Sequence, residues 1–89
     1  MLNKNNEVAV RYNIEAETAR YSATIYKTLG GSFFGEYAPI PPDDSQPPIR
    51  VFDFSRPMQD QRKESVEILA LCIANIGAKS GEIISVSKI

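Results

Sequence analysis

The chain has 89 residues, of which 43% are apolar and 24% charged, and its 10 basic and 11 acidic residues leave a net charge of −1. This length allows one domain with one core, and the composition is that of a globular chain rather than a disordered one. The low net charge disfavours general binding to nucleic acid or to an anionic membrane, and it does little to oppose self-association.

The first predicted element is a strand at residues 7–12, after a polar segment at residues 1–6 that we predict to be a flexible tail. In this strand Val8, Val10 and Tyr12 alternate with Glu, Ala and Arg. Strict alternation is typical of a strand with one face buried and the other in solvent.

Residues 13–29 allow two interpretations. Read as a helix, they carry one apolar stripe at spacings of three and four, made of Ile14, Thr18, Tyr21, Ile25 and Leu29. Asn13 then caps the helix, and Gly30 supplies the left-handed residue that ends it. The tyrosine, threonine and isoleucine content of residues 21–28 instead favours strands, joined by a hairpin that turns at AETA, residues 16–19. We predict the helix, because its start, stripe and stop agree.

Two strands, a helix and a final strand are predicted in the rest of the chain. Residues 32–38 form a strand in which Gly35 marks a bulge or a close approach by another element, and residues 49–55 form the next strand. A helix follows at 57–77, where Gly77 is expected to end it, and residues 82–89 close the chain as a strand. The predicted inner stripe of the helix consists of Val66, Leu69, Ile73 and Ile76, widened by Ile68 and Cys72.

This order of elements predicts an α+β fold. The order βαββαβ most simply gives a ferredoxin-like arrangement, a four-stranded antiparallel sheet with two helices on one face. If residues 14–29 are strands, the fold becomes a curled antiparallel β-meander with one C-terminal helix and a final strand. In either case we expect residues 7–89 to form a single domain with a proline-rich loop at 38–48.

The proline-rich loop is the segment that we predict to be the exposed contact site. The stretch from Pro39 to Pro42 has the PxxP spacing that favours polyproline II and docks on aromatic grooves, although a proline-stiffened connection explains it equally well. Asp43 and Asp44 are the paired carboxylates of the chain, and turn formation is their expected role. The candidate interaction residues are Pro39, Pro41, Pro42, Asp43, Asp44 and Arg50.

The residue types present disfavour catalysis. The chain has no histidine and a single cysteine, so it lacks a conventional zinc site, an internal disulfide and the commonest general base. Cys72 lies in the most apolar part of the predicted helix, where a free cysteine usually acts as a small hydrophobe. We therefore expect no enzyme activity, no catalytic residue, no metal and no cofactor, and the free thiol favours a cytoplasmic location.

Aromatic and basic residues alternate on the predicted strand at 49–55. Arg50, Phe52 and Phe54 fit the exposed sheet face on which RNA-binding domains stack bases. The alternative is that Phe52 and Phe54 point under the helices, which leaves Val51 and Asp53 outward. We favour this core interpretation, because the signature of RNA-binding domains is absent and the net charge is slightly acidic.

The resulting functional prediction is a non-catalytic protein-interaction or regulatory module that forms a homodimer through its uncovered sheet face. The identity of its protein partner is not encoded in any recognisable motif, and no membrane span is present in the sequence. The alternatives are a single-stranded RNA-binding domain that uses Arg50, Phe52 and Phe54, and a sensor of a small metabolite. The residues expected on the uncovered face include Ala9, Arg11, Val51, Asp53, Ile83 and Ser85.

Overall fold

A computed structural model of the chain describes residues 6–29, 32–52 and 61–89. Residues 1–5 of the predicted tail lie outside the described residues, as do Gly30, Asp53, Phe54 and the predicted helix start at 57–60. Asn6, the last residue of the predicted tail, is the first residue of β1. The elements in chain order are β1 (Asn6–Ala16), β2 (Arg20–Thr28), β3 (Phe33–Ile40), β4 (Ile49–Phe52), α1 (Gln61–Ser80) and β5 (Ile83–Lys88).

The five strands form one antiparallel sheet with the order β4-β3-β2-β1-β5. β1 to β4 are a meander in which each strand pairs with the next along the chain. α1 then carries the chain from β4 at one edge of the sheet to β5 at the other edge, and it packs against all five strands. One face of the sheet is therefore covered by the helix, and we call it the helix-covered face.

The predicted ferredoxin-like fold with two helices is wrong, and the alternative, an antiparallel meander with one helix and a final strand, is confirmed. The error lies in residues 13–29, which form the end of β1, a turn and β2. The turn falls at AETA, where the Ala16 N–H donates to the Ala19 carbonyl at 2.9 Å.

The apolar residues of the predicted first helix reach the core from two strands instead. Ile14 and Tyr21 are directly opposed across the β1–β2 hairpin and both are buried, as is Ile25 further along β2. Leu29, the last residue of the predicted helical stripe, is exposed. Tyrosine, threonine and isoleucine pack well on a pleated sheet and lose side-chain freedom in a helix, so their content outweighs the capping signals.

A register shift in β1 divides its alternating residues between the two faces. Val8 is opposite Tyr26, and regular antiparallel pairing would place Val10 opposite Thr24. Val10 is instead opposite Ile25. The extra residue in β1 turns Val8 away from the core, as a β-bulge does. The prediction that Val8 shares one side with Val10 and Tyr12 is therefore wrong for Val8, which is exposed.

The core lies between α1 and the helix-covered face. Its buried strand residues alternate along each strand, as expected for a sheet with one covered face. They are Ile14, Ala16, Tyr21, Ala23, Ile25, Phe33, Tyr37 and Val51, and they meet Ile68, Cys72 and Ile76 of the helix.

The buried face predicted for the helix is confirmed except at Val66. Ile68, Cys72 and Ile76 are fully buried and Leu69 and Ile73 pack against the core, whereas Val66, the first residue of the predicted inner stripe, is 55% exposed. The helix also continues through Gly77 and ends at Ser80. Gly81 follows, and its φ of 86° supplies the left-handed position while its N–H donates to the carbonyl of Gly77. In the described ranges, no helix is long and apolar enough to cross a membrane.

Gly35 of β3 is the point at which α1 lies closest to the sheet. A Cβ atom on Gly35 would lie 2.7 Å from Ile68 Cγ2 and 2.9 Å from Cys72 Sγ. The predicted close approach at Gly35 is thus confirmed, and the absence of a side chain there sets the height of the helix above the sheet.

The C-terminal end of α1 is held by the turn between β1 and β2. The Ser80 carbonyl accepts hydrogen bonds from the N–H and from the hydroxyl of Thr18, each at 3.1 Å. The Ser80 and Tyr21 hydroxyls share a buried hydrogen bond of 2.7 Å, and Glu17 Oε1 accepts from the N–H of Glu82 at 2.8 Å. These bonds satisfy polar groups that the end of a helix would otherwise leave unpaired.

We expect Tyr21→Phe to lower the free energy of unfolding by about 1–2 kcal/mol, because it removes one partner from a buried hydrogen bond and leaves the Ser80 hydroxyl unpaired. Urea denaturation would measure the loss. Tyr21→Phe combined with Ser80→Ala should cost less than the sum of the two single changes, since no orphaned hydroxyl remains. Additive losses would show that the two hydroxyls are not coupled. Tyr26→Phe is the control, as the Tyr26 hydroxyl makes no hydrogen bond to any described residue.

Candidate functional site

The sheet face opposite α1 carries mostly polar side chains, and we call it the open face. Residues that are paired across strands point to the same side of a sheet, so the pairing defines this face. Its members include Val8, Arg11, Asn13 and Glu15 of β1, Arg20, Ser22, Thr24 and Tyr26 of β2, Phe34, Glu36, Ala38 and Ile40 of β3, Arg50 of β4, and Ser85 and Ser87 of β5.

An aromatic and charged cluster occupies one end of the open face. The rings of Tyr26 and Phe34 are stacked with their centroids 5.0 Å apart, and the Arg50 guanidinium lies 5.3 Å from the centroid of Phe34. Arg50 Nε also donates to Glu36 Oε2 at 3.3 Å. Only 6% of Phe34 is exposed, so this ring has no open surface on which a base could stack.

The predicted orientation of the strand at 49–55 is wrong at Val51. Val51 is buried on the helix-covered face, opposite Gly35, and Arg50 is exposed on the open face. Position 52 pairs with Phe34, which is on the open face, so position 52 lies in the same cross-strand row as Phe34. Ile83 is also partly buried against the core rather than outward, whereas Arg11 and Ser85 are exposed on the open face as predicted.

The residues predicted as the contact site lie in three different settings. Pro39 belongs to β3, beyond the last β3–β4 pair, where β3 is an edge and a proline is tolerated. Pro41 and Pro42 are exposed in the following loop, together with Asp44. Arg50 is on the open face, and its contacts within the described residues are those with Glu36 and Phe34. The structure therefore does not bring Arg50 into one site with the loop.

Asp43 forms the turn within the loop. Its Oδ1 accepts hydrogen bonds from the Ser45 hydroxyl at 2.7 Å and from the Ser45 N–H at 2.9 Å, and its carbonyl accepts from the Gln46 N–H at 2.9 Å. The hydrogen bonds from Ser45, first from its side chain and then from its backbone, hold the pKa of Asp43 below its ordinary value. The side chain thus closes its own turn, as the sequence predicts.

Cys72 is a core residue. Its side chain is fully buried beneath the helix, and burial raises the pKa of its thiol to about 11. A reactive thiolate needs an accessible, electropositive site, so Cys72 is inert while the chain is folded.

A shallow groove of about 350 Å³ lies at the other end of the open face, near the β1–β2 turn. Ile14 and Tyr21, which are buried from the opposite face, contribute the backbone at its floor. The side chains around it are those of Asn13, Glu15, Arg20, Ile40, Ser85 and Ser87.

The outer edge of β5 is a second surface that could bind a partner. β5 pairs with β1 on one side and with no described strand on the other. Its exposed apolar residues are Ile84 at 61%, Val86 at 39% and Ile89, just beyond the strand, at 68%. An edge strand of this kind presents unpaired N–H and carbonyl groups to another chain.

Comparisons of the chain with protein families, with curated proteins and with solved structures find no match to any of them. The groove and the outer edge of β5 are the two surfaces of the described residues that are open to a partner or a ligand.

Sequence reasoning did not find the groove. It places Glu15 and Arg20 on one helix, whereas in the structure they are opposed across the hairpin. The signal that could have found the pair is the turn at AETA, because folding the chain there brings Glu15 and Arg20 face to face.

Proposed function

We propose that this chain is a non-catalytic protein-interaction module of the cytoplasm that self-associates through the outer edge of β5. The observation that carries the proposal is the exposed β5 edge with Ile84, Val86 and Ile89. The other edge of the sheet, formed by β4, is less suited to pairing, which favours β5 as the interface. Within the described residues β4 spans Ile49–Phe52 and follows Pro47 and Pro48, and prolines beside an edge strand disfavour its pairing with another chain.

The backbone of β5 supports pairing with a second copy. The N–H of Ile89 donates to the Arg11 carbonyl at 2.9 Å, so alternation turns the N–H and carbonyl groups of Val86 and Lys88 away from β1. Two copies of β5 can therefore pair in antiparallel fashion about a twofold axis. The sheet then continues from one copy into the other, with both helices on the same side.

Charge selects the register of this pairing. With the axis at Ser85, Ile84 lies opposite Val86 of the partner subunit, and Lys88 lies close to Glu82 of the partner subunit. With the axis at Val86, Lys88 would instead lie opposite an isoleucine. Opposite charges across strands favour pairing, and an ammonium group against an aliphatic side chain does not.

We expect Ser85→Cys to form a disulfide-linked dimer under mild oxidation. The two Ser85 residues would be a directly opposed pair without hydrogen bonds between them, with Cα atoms about 4.5 Å apart, which a disulfide can span. Non-reducing electrophoresis would detect the dimer, and the buried Cys72 should not compete.

Ser87→Cys is the matched control, since it changes the same residue type on the same face of β5. In the proposed register two copies of this cysteine lie about 13 Å apart, too far for a bond. Equal cross-linking of both variants, or sedimentation of the unmodified chain as monomer only at high micromolar concentration, would contradict the proposal.

A further inference from the structure

The groove on the open face is built from one row of side chains across four strands. Ser85 is opposite Glu15, Glu15 is opposite Arg20, and Arg20 is opposite Ile40. Neighbouring strands are about 4.8 Å apart, so a hydroxyl, a carboxylate, a guanidinium and an aliphatic side chain follow one another at that spacing. Asn13 and Ser87 line the groove from the next row.

The polar side chains of this row have no partners in the described part of the chain. Glu15 and Arg20 are directly opposed and carry opposite charges, yet they form no ion pair with each other or with any other described residue. Asn13, Ser85 and Ser87 likewise make no side-chain hydrogen bond to described residues. These donor and acceptor groups are therefore available to hydrogen-bond a ligand in the groove.

The order of the groups indicates which ligand they suit. A guanidinium binds a carboxylate through two parallel hydrogen bonds, and a carboxylate on the neighbouring strand binds an ammonium group. A ligand that meets both must carry its two opposite charges close together. A free α-amino acid does so, because its carboxylate and ammonium are attached to the same carbon atom. Ile40, next to Arg20, gives an apolar side chain a surface to contact.

We propose that this groove binds a free α-amino acid with an apolar side chain. Arg20 binds the carboxylate, Glu15 binds the ammonium group, and Ile40 contacts the side chain. Asn13, Ser85 and Ser87 supply the remaining hydrogen bonds. The volume of about 350 Å³ lies within the range of small-molecule sites. Every residue of the groove belongs to one chain, so the binding of an amino acid does not depend on the proposed self-association.

The test is a titration of the chain with three related probes, in which binding is monitored by the NMR chemical shifts of the backbone amides. L-leucine carries both charges, isocaproate has the carboxylate without the ammonium group, and isopentylamine has the ammonium group without the carboxylate. L-leucine is expected to bind, with shifts at Glu15 and Arg20, and each of the other two is expected to bind about tenfold more weakly or worse, since each loses one charge-assisted interaction. Absence of L-leucine binding, or equal binding of isocaproate, overturns the proposal.

Matched variants locate the site. Arg20→Gln is expected to weaken L-leucine binding by about tenfold or more, and Glu15→Gln should do the same. Arg11→Gln is the control, because Arg11 is an exposed arginine of the same face that does not line the groove. All three positions are exposed, so the variants should fold. Equal effects of Arg20→Gln and Arg11→Gln would overturn the assignment. If the Ser85→Cys variant fails to cross-link while the unmodified chain binds L-leucine, the result contradicts self-association alone.

Discussion

Replacing Gly35 by alanine is expected to lower the free energy of unfolding by about 1–3 kcal/mol, the usual cost of overfilling a packed core. The added methyl group would lie 2.7 Å from Ile68 Cγ2 and 2.9 Å from Cys72 Sγ. The methyl of Ile68 is attached directly to its Cβ, so it can move aside only by a shift of the helix or a change of the χ1 rotamer of Ile68. α1 must therefore rise from the sheet or side chains must leave their rotamers.

Gly77→Ala is the matched control for Gly35→Ala, since it is the same change in the same chain. Gly77 lies within α1, and a Cβ atom there would meet nothing within 4 Å. Alanine is a better helix former than glycine, so this variant is expected to gain about 0.5–1 kcal/mol. Urea denaturation of the two variants should move the midpoint in opposite directions. A Gly35→Ala midpoint at or above that of the unmodified chain would show that the helix does not lie on Gly35.

Ile68→Ala is expected to cost about 2–5 kcal/mol, whereas Val66→Ala should change the free energy of unfolding by less than about 0.5 kcal/mol. Ile68 is fully buried and belongs to the core, and Val66 is 55% exposed. Residues two apart on a helix point about 200° apart around its axis, so only one of them can face the sheet.

Thermal and urea unfolding, followed by circular dichroism at the helix signal, would measure both variants. The comparison tests whether Val66 is turned away from the sheet. A loss for Val66→Ala as large as that for Ile68→Ala would show that Val66 also faces the core, as the sequence pattern predicts.

The helix and most of its buried face could be predicted from sequence, but the exposure of Val66 could not. Between Val66 and Ile76 only Glu67 and Asn75 are polar, so several stripes satisfy the helical spacing equally well. Contact with the sheet decides among them, because Gly35 leaves space at one position for Ile68 and Cys72. The sheet, which is distant in sequence, therefore determines which of these stripes is buried, and local periodicity alone does not.

In the first half of the chain the secondary structure itself could not be predicted from local signals. Tyr21 and Ile25 fit a helical stripe, but they also fit one face of a strand, because their spacing of four is a multiple of the strand period. Capping signals at both ends favoured the helix. Strand pairing overrode them, since β2 lies in the middle of the sheet with a partner on each side. This one difference changes the predicted arrangement from a two-helix ferredoxin-like fold to a meander with one helix, and it conceals the pair of Glu15 and Arg20.

The candidate sites were predictable only in part. The exposed position of the proline loop, the turn formed by Asp43 and the outward direction of Ser85 all follow from local chemistry. The groove and the free edge do not, because both depend on which strands are neighbours. The pairing of β5 with β1 joins the two ends of the chain, and no local pattern in either strand specifies it.

That pairing also has a consequence during protein synthesis. β1 to β4 can form their hairpins as soon as each has left the ribosome, but β1 gains its second neighbour only when residues 83–88 have emerged. Until then β1 is itself an edge strand with unpaired backbone groups. A nascent chain in this state is open to pairing with strands of other chains, so the late arrival of β5 is the step at which misassembly competes with folding.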